Sequence, residues 1–426
     1  MTQDNEGMLS PYRILDLTDE RGYFAAKLLG DLGADVIKIE KPSGDPGRRL
    51  GPFYHDIKEP EKSLFWMGLN TNKRGITLNI ESTKGKELFK KLCKNTDILF
   101  ESFDPGYMEG LGLGYSALSK INPRLIMASI TGFGQSGPYR DYNSPSIVLW
   151  ALSGQGFVTG DADRPPLSTS YPIPYFFGAM QAAVGALTAL YHRAETGRGQ
   201  YIDAPSVLGL SWALGSDPKG LWMNDKTLVM RAGRYWPRPQ PRPDGTTGYV
   251  NVPLTYPCKD GGVKFFPFVE EGMLHSTSGM TQWAIEEGCG SEAARTVDWR
   301  TWNWQEVPQS LVDDITGCFQ KLYLKHTKAE LFEEAQKRGI QLYPVFTVAD
   351  MLAFPQLSIR NYWEKVPHPE LGEEITYPGA FTQLGWGSTS IRRRAPLIGE
   401  HNKEIYLKEM GMTEKELALL KQKGDI

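Results

Sequence analysis

Cysteine and histidine are scarce in this chain. Its 426 residues include four cysteines and six histidines. No two cysteines form a Cys-x-x-Cys pair, and the histidines have no metal-ligand spacing, which argues against a disulfide framework and against a zinc site. We therefore expect no bound metal and reduced thiols at Cys93, Cys258, Cys289 and Cys318.

The chain also has no large excess of positive or negative charge, since its formal net charge is -3 at pH 7. This balance gives no electrostatic basis for binding nucleic acid or an anionic membrane. Apolar runs are interrupted by Gly, Pro or charged residues well before the roughly 18 residues that a membrane span needs. The first residues lack the basic and apolar regions of a signal peptide. These absences predict a cytoplasmic protein that binds neither nucleic acid nor membrane.

Several catalytic signatures are absent as well. The segment after the first expected strand reads Thr-Asp-Glu-Arg-Gly over residues 18–22, with no G-x-G-x-x-G fingerprint for a dinucleotide. A Walker A loop, a G-x-S-x-G elbow and an H-E-x-x-H pair are also missing. The sequence therefore does not favour a dehydrogenase, a kinase or a serine hydrolase.

Strand and helix patterns alternate along the first half of the chain. Residues 12–17, 36–39, 98–100, 125–130 and 201–203 predict strands, and residues 22–33, 84–94, 116–121 and 176–195 predict helices. Repeated strand–helix–strand units indicate an α/β fold with a parallel sheet. A final helix is expected to begin near Thr413.

The composition changes after about residue 215. Residues 235–245 are rich in proline, which excludes regular helix and central strand. The sequence therefore predicts a large domain over 1–215, a linker over 216–245 and a smaller domain over 246–335. Residues 340–385 contain scattered prolines and are expected to be rich in loops, so 336–385 is predicted as a return linker.

Two features stand where an open α/β sheet binds its ligand, after the ends of strands. Gly132–Pro138 is a glycine-rich turn whose backbone N–H groups could approach a ligand, or it is an ordinary turn between strand and loop. Lys41 follows another strand and could contact a phosphate, or it is a solvated lysine before a turn. The residues alone leave both alternatives open.

Together with these features, a series of motifs resembles one family over about 400 residues. The motifs occur in the family's order, and they are Ile14–Thr18, Leu32–Pro42, Asn72–Arg74, Phe103–Gly106, Asn122–Ile126, Gly132–Pro138, His192–Gln200 and Ala395–His401. The chain is similar to the class III CoA-transferases, also called the CaiB/BaiF family. The resemblance implies an acyl-CoA and a carboxylic acid as substrates, with coenzyme A carried between them and no metal.

The resemblance also implies an architecture. Family members have a Rossmann-like large domain built from both termini and a small α+β domain, so residues 386–426 are expected to complete the large domain. Two chains interlock as rings, and each active site lies between the large domain of one chain and the small domain of the other. In the family mechanism an aspartate attacks the thioester, forms a mixed anhydride and then carries CoA as an aspartyl thioester.

Tyr175 occupies the position at which the resemblance places that aspartate. Counting back from Gly185 gives Tyr175, and counting from Gly178 gives Pro174, so neither register supplies an acid. A tyrosine hydroxyl, with a pKa of about 10, cannot replace an ionised carboxylate. The nearest acids in the sequence, Asp161 and Asp163, are interpreted as solvated turn residues. No catalytic residue is therefore assigned to this chain.

The CoA contacts that the resemblance implies are only partly present. The positions that remain as candidate CoA contacts are Arg21, Lys41, Leu78, Phe103 and Tyr107. A lysine that is common in the family is replaced by Glu81, whose charge is wrong for a CoA phosphate, and a basic residue is replaced by Gly110. These changes together indicate a degenerate site.

Three hypotheses follow. In the first, the chain is a subunit without a nucleophile that interlocks with a homologous Asp-bearing subunit in a heterodimer or heterotetramer. In the second, it is a homodimeric enzyme with altered chemistry, such as an acyl-CoA racemase, although no histidine follows the Gly134–Pro138 turn as that chemistry requires. In the third, it binds CoA esters without converting them.

Overall fold

The chain forms two compact units. The computed structural model describes residues 7–161, 163–214, 233–379, 381–385 and 389–426. Unit 1 comprises Met1–Gln155, Thr169–Gly215 and Gln356–Ile426, and unit 2 comprises Gly156–Ser168 and Ser216–Pro355. Unit 1 is therefore assembled from segments of both halves of the chain.

Unit 1 contains a six-stranded parallel sheet. Its strands are β1 (Arg13–Leu17), β2 (Asp35–Glu40), β3 (Lys73–Thr77), β4 (Ile98–Glu101), β5 (Ile126–Thr131) and β6 (Tyr201–Pro205). Their order across the sheet is β3-β2-β1-β4-β5-β6, and every neighbouring pair is parallel. This is the doubly wound order, in which the direction of winding reverses between β1 and β4. The predicted α/β fold with a parallel sheet is confirmed.

Helices and short segments surround this sheet. The α-helices of unit 1 up to residue 213 are α1 (Tyr23–Asp31), α2 (Leu64–Leu69), α3 (Thr83–Cys93), α4 (Tyr107–Gly110), α5 (Tyr115–Ile121), α6 (Ser146–Leu152), α8 (Ile173–Thr196) and α9 (Ser206–Ala213), while α7 (Gln155–Val158) belongs mostly to unit 2. The other elements of unit 1 are 3₁₀ turns at Pro46–Arg49, Tyr54–Asp56 and Pro60–Lys62, a hairpin of Trp363–His368 with Glu373–Pro378, a π-helical segment at Lys403–Glu409 and a helix at Glu414–Gln422. The last helix begins after Thr413, which with Glu416 forms a capping box.

Alternate residues of the central strands supply two separate cores. Leu15 and Leu99 belong to the core that contains residues of α3 and Glu414–Gln422. Ile14 and Ile98 belong to the core that contains residues of α1 and α8. A parallel sheet covered by helices on both faces is the arrangement that α/β proteins use to bury continuous apolar strands.

Helix α8 is long and apolar enough by length and composition to cross a membrane, yet half of its most apolar window is buried within the chain. Ala179, Ala182 and Ala186 are fully buried in the core shared with β5 and α1. A Cβ atom added at Gly178 would lie 2.2 Å from the Ser206 hydroxyl, so α8 and α9 approach each other closely. A core helix passes the same test of length and composition, and α8 has the packing of a core helix.

Unit 2 combines antiparallel strands with helices. Tyr235–Pro241 pairs with Thr247–Pro253, and Gly261–Lys264 pairs with Thr255–Cys258 and with Tyr343–Val345. The helices are Leu274–Glu286, Glu292–Thr296, Gln309–Tyr323, Lys328–Arg338 and Val348–Ala353, with a 3₁₀ turn at Glu271–Met273. Pro355–Ile359 is a short helix where the chain returns to unit 1. Unit 2 is therefore an α+β unit with its own aromatic core.

The interpretation of residues 235–245 as part of a linker is wrong, because Tyr235–Pro241 is a strand. Its prolines occupy every second position, at Pro237, Pro239 and Pro241. Since successive N–H groups of a strand point to opposite sides, prolines at alternate positions can all face away from the partner strand. The linker expected from residue 216 otherwise lies largely outside the described residues, since 215–232 are not described.

The expectation that residues 340–385 are rich in loops is also wrong. This stretch contains three strands and two short helices. Tyr343–Val345 completes the three-stranded sheet of unit 2 by pairing with Gly261–Lys264, and unit 2 accordingly runs on to Pro355, whereas the sequence predicts that the small domain ends at 335. A three-residue strand is too short for a periodicity signal, and its partner is about eighty residues away.

Candidate active site

The site lies at the carboxyl edge of the sheet, where the winding reverses. In doubly wound folds the ligand crevice forms outside the strand ends at this switch point. Here the loops after β1 and β4 begin at Thr18 and Ser102. Two cavities open beside them, with volumes of about 610 Å³ and about 270 Å³, and Asp19 lines both.

Tyr175 lines the larger cavity. It stands in the first turn of α8, and its side chain is only 7% exposed. Its hydroxyl donates to the backbone carbonyl of Ser144 and lies 3.1 Å from the Ser144 hydroxyl. The other residues that line this cavity are Asp19, Glu20, Arg21, Asp104, Pro105, Thr131, Gly132, Phe133, Arg140, Asp141, Tyr142, Asn143, Ser144, Pro145, Ser146 and Pro172. The phenol is therefore held against the 144 loop.

Burial raises the pKa of Tyr175 above its ordinary value, and the hydrogen bond with Ser144 and the charge of Arg21 offset this only in part. The phenol is therefore neutral at physiological pH. The first turn of a helix stabilises negative charge, which would favour a carboxylate at this place. A neutral phenol gains nothing from that field and cannot attack a thioester as an ionised carboxylate does.

Arg21, a predicted CoA contact, lies in the larger cavity and is already paired. Its guanidinium donates to both carboxylate oxygens of Asp19, with a closest distance of 2.7 Å, and lies 3.5 Å from Asp104. Burial opposes the charge of Arg21, but the ion pair with Asp19 outweighs burial and raises its pKa. Ser102 also donates to Asp19, so the loops after β1 and β4 are tied together through one carboxylate.

The acids that line the same cavity as Tyr175 do not include Asp161 or Asp163, the acids nearest to it in the sequence. Asp161 belongs to unit 2 and accepts from the Arg234 guanidinium at 2.8 Å. Glu20 instead lines the same cavity as Tyr175, and burial, followed by the charge of Asp19, raises its pKa. Sequence reasoning missed Glu20. Its position directly after β1 at the switch point was the available signal.

The smaller cavity brings together three of the predicted CoA contacts, Lys41, Leu78 and Phe103. Leu78 is buried beside β3, and Phe103 stacks on Tyr107 with ring centroids 4.5 Å apart. The remaining lining residues are Leu17, Thr18, Asp19, Ile39, Glu40, Ser43, Gly44, Asp45, Pro46, Arg49, Ile80 and Ser102. Four of the five predicted contacts thus lie in or beside one crevice, and Arg21 lies in the neighbouring one.

Glu81 stands at the rim of this smaller cavity. Its Oε1 atom accepts from Lys41 Nζ at 2.9 Å and from Tyr107 Oη at 2.6 Å. These hydrogen bonds lower the pKa of Glu81, while burial, followed by the contact with Glu81, raises the pKa of Tyr107 to about 12. The carboxylate therefore remains ionised and engages two of the candidate CoA contacts.

The glycine-rich turn uses part of its backbone internally. The Gly134 N–H donates to Thr131 Oγ1, and the Gln135 N–H donates to Asp203 Oδ2, each at 2.9 Å. Gly134 has a φ angle of +93°, which only glycine adopts without strain. Of the two alternatives for this turn, an ordinary turn between strand and loop fits these two amides, because neither is free to hold a ligand.

Glu101 supplies a pH-dependent contribution to stability at the switch point. Burial raises its pKa to about 7. The protonated folded form contributes stability that is fully present below the unfolded pKa of about 4.5 and is lost as the pH rises through about 7. We expect Glu101→Gln to remove a fall of about 2–3 kcal/mol in unfolding free energy between about pH 5 and about pH 8. Urea denaturation of wild type and of Glu101→Gln at both pH values measures this difference. An equal fall in unfolding free energy in the two proteins would contradict the prediction.

Among the residues that the structure describes, no group of three or more His, Cys, Asp or Glu side chains could hold a metal ion. All four cysteines are buried and free.

The comparisons with known proteins agree with this geometry. The profile of CoA-transferase family III matches residues 9–402. The chain belongs to CoA-transferase family III. Members of this family transfer coenzyme A between acyl-CoA thioesters and carboxylic acids, so the larger and smaller cavities are candidates for the reacting groups and for CoA. The family resemblance stated from the sequence motifs is confirmed.

Individual relatives cover nearly the whole chain. The succinyl-CoA:(R)-benzylsuccinate CoA-transferase subunit BbsE of Thauera aromatica is 33% identical over 93% of this chain and 93% of its own length. A formyl-CoA:oxalate CoA-transferase of Streptomyces avermitilis is 32% identical over 100% of both chains. The crystal structure of a CaiB/BaiF family protein from Brucella suis superimposes with a TM-score of 0.79 and 25% identity, covering 95% of this chain and 100% of that one.

Proposed function

We propose that this family III chain is the subunit of a heteromeric acyl-CoA:carboxylate CoA-transferase that lacks the nucleophile. The observation that carries the proposal is the environment of Tyr175, which is buried, neutral and hydrogen bonded to Ser144. The reaction needs an ionised carboxylate there. The assembly therefore takes its aspartate from a homologous partner subunit, as an interlocked heterodimer or heterotetramer.

The proposed reaction is the transfer of CoA from succinyl-CoA to (R)-benzylsuccinate in anaerobic toluene degradation. Its support is the relative from Thauera aromatica, which carries that name as a subunit. The formyl-CoA:oxalate enzymes are nearly as similar, at 32% identity. A panel of acceptors that includes (R)-benzylsuccinate and oxalate decides between them.

In the proposed assembly the chemistry takes place on the partner's carboxylate. That carboxylate attacks the thioester carbonyl, and CoA leaves as the thiolate, which gives a mixed anhydride. The thiolate then attacks the aspartyl carbonyl and releases the first carboxylate. The acceptor carboxylate next attacks the aspartyl thioester and expels the CoA thiolate, which gives a second mixed anhydride. The thiolate then attacks the acyl carbonyl of the acceptor, forms the product thioester and releases the aspartate carboxylate. No step changes an oxidation state, so no oxidant is required.

The surface of unit 1 supports a partner subunit. Helices α6, α8 and α9 expose large apolar side chains, namely Ile147, Leu152, Val184, Tyr191, Leu208 and Trp212. Trp212 is 80% exposed and Tyr191 is 77% exposed. Apolar patches of this kind are typical of protein–protein interfaces. A partner that packs on these helices would remove them from water.

Trp212→Glu is expected to disrupt this assembly. A central interface tryptophan contributes 2 kcal/mol or more to binding, so co-purification of the partner should fall by about tenfold or more. Leu419→Glu is the matched control, because Leu419 is also an exposed apolar residue, at 49%, but lies on the Glu414–Gln422 helix. Pull-down with a tagged partner measures both variants. Equal recovery with Trp212→Glu and Leu419→Glu would contradict the placement of the interface.

The two other hypotheses have less support. A racemase needs a proton-transferring histidine, and none of the described residues that line the larger cavity is a histidine. A CoA-ester-binding protein would need no partner. Deuterium exchange at the α-carbon of an acyl-CoA would support the racemase hypothesis. Tight CoA binding without any transferase partner would support the CoA-ester-binding hypothesis.

The test of the proposed function is expression of the full chain by itself and together with an Asp-bearing homologue, followed by an assay of CoA transfer. We expect this chain to co-purify with the homologue. We expect CoA transfer from the co-purified pair and none from this chain by itself. A pure, active preparation of this chain without a partner would overturn the proposal, and Glu20→Gln would then show whether Glu20 serves as a substitute carboxylate.

A further inference from the structure

We propose that Glu81 cancels the attraction of Lys41 for the 3′-phosphate of coenzyme A in this chain's own crevice, so that CoA and dephospho-CoA bind alike. This inference rests on the proposed function, because it takes a CoA ester as the ligand of the smaller cavity. It assigns to Glu81 a role in specificity.

Glu81 lies beside Lys41 at the carboxyl edge of the sheet. Strands β2 and β3 are neighbours, with Glu40 opposite Thr77 in the register. The segments after them, which carry Lys41 and Glu81, therefore emerge side by side. The Glu81 backbone N–H donates to Asn79 Oδ1 at 3.1 Å, which fixes the turn, and the Lys41–Glu81 ion pair closes at 2.9 Å.

Lys41 is already engaged in an ion pair with Glu81. Lys41 is the lysine among the residues that line the smaller cavity, and Arg49 is the other cation there. Because the Lys41 ammonium is paired with Glu81, a phosphate that approached it would have to displace a carboxylate. The same carboxylate would then lie within a few ångströms of a phosphate of like charge.

Apolar and aromatic residues of the smaller cavity could contact the rest of the ligand. The floor of the cavity is apolar, with Leu17, Ile39 and Leu78, and the stacked rings of Phe103 and Tyr107 stand beside it. Apolar and aromatic surfaces suit an adenine ring, since every base has a π face. The cavity therefore retains features that fit the uncharged part of the adenosine end, while Glu81 neutralises the lysine that would attract its phosphomonoester.

The experiment compares the binding of CoA and dephospho-CoA by calorimetry, using the full chain or its assembly with the partner. The partner's site is common to all variants, so differences report on this chain. In wild type the two ligands should bind this chain with the same affinity. Glu81→Gln should tighten CoA binding about three- to tenfold and leave dephospho-CoA unchanged, and the gain should shrink as salt rises from about 0.05 to about 0.5 M.

Two further variants make the result specific. Glu87→Gln changes the net charge by the same amount six residues away, where Glu87 forms an exposed pair with Lys84 at 2.8 Å, and it should bind like wild type. The double variant Lys41→Gln/Glu81→Gln should lose the gain, because the freed cation is gone.

The inference is overturned if Glu81→Gln leaves CoA binding unchanged, if it tightens both ligands equally, or if no variant of this chain binds either ligand. Thermal unfolding of each variant confirms that the comparison is between folded proteins. None of these outcomes touches the proposed function, which stands or falls on CoA transfer by the assembly.

Discussion

Replacing the nucleophilic aspartate of the proposed partner subunit by asparagine is expected to lower the rate of CoA transfer by about 10⁴-fold or more, whereas Tyr175→Phe in this chain should leave kcat within about twofold of wild type. The reason is that the covalent steps need an ionised carboxylate, and the Tyr175 phenol is neutral and buried. Steady-state assays of the three assemblies, purified in the same way, measure the effect.

The Tyr175→Phe variant carries its own control. Loss of the hydrogen bond to the Ser144 carbonyl should cost about 1 kcal/mol of stability, because that carbonyl is left without its phenol donor. A variant that loses about 1 kcal/mol in urea denaturation and keeps its rate matches a structural tyrosine. A fall of tenfold or more in kcat with the fold intact would instead give the phenol a role in the reaction.

Asp16→Ala is expected to destabilise unit 1 by about 3–5 kcal/mol. Asp16 is fully buried at the end of β1, accepts from Lys73 Nζ at 2.8 Å and lies 3.9 Å from Lys38 Nζ. Burial opposes ionisation of Asp16, but these two lysines outweigh burial and lower its pKa. Removing the carboxylate leaves two buried ammonium groups without this counter-charge, and such a loss is far more costly than that of an exposed ion pair.

Guanidinium denaturation of Asp16→Ala against wild type measures this loss. Glu87→Ala is the control, because it breaks an exposed pair with Lys84 and should change stability by less than about 1 kcal/mol. Burial, only partly offset by Asp16, lowers the pKa of Lys73 to about 8. A change below about 1 kcal/mol for Asp16→Ala would mean that Lys38 and Lys73 find other partners.

Much of unit 1 could be predicted because its elements are long and strongly patterned. The strands at 13–17, 35–40 and 126–131 are almost continuously apolar or alternate between two cores, and α8 carries its apolar residues at helical spacing. The order of the strands could not be read in the same way, since no local pattern records that β4 rather than β3 lies beside β1. That choice depends on crossovers between distant segments.

The two wrong predictions of secondary structure in unit 2 have the same cause. Proline at 237, 239 and 241 excludes regular helix and central strand and therefore favoured a linker, whereas a two-stranded ladder accepts proline at alternate positions. Tyr343–Val345 has three residues and no period, and it is a strand because Gly261–Lys264 lies beside it. In both cases the partner strand determines the structure, and the local sequence carries little of that information.

For the site, the family resemblance indicated candidate CoA contacts but not how they pair. Lys41 and Phe103 follow strands that the sequence pattern predicts, so their meeting at the carboxyl edge of a parallel sheet was predictable. The strand before Leu78, β3, was not among the predicted strands. The pairing of Glu81 with both Lys41 and Tyr107 depends on side-chain placement across forty and twenty-six residues of sequence. The raised pKa of Glu20 likewise depends on burial, which no motif reveals.

The most direct test of the central proposal, that the covalent chemistry takes place on a partner and not on this chain, is to trap the intermediate. The co-purified assembly is mixed with its CoA thioester and quenched with hydroxylamine, which converts an activated carboxyl group into a hydroxamate, and the intact mass of each subunit is then measured. We expect the modification on the Asp-bearing partner, with this chain unchanged. A hydroxamate on this chain, mapped to Glu20 or to any other of its carboxylates, would contradict the proposal.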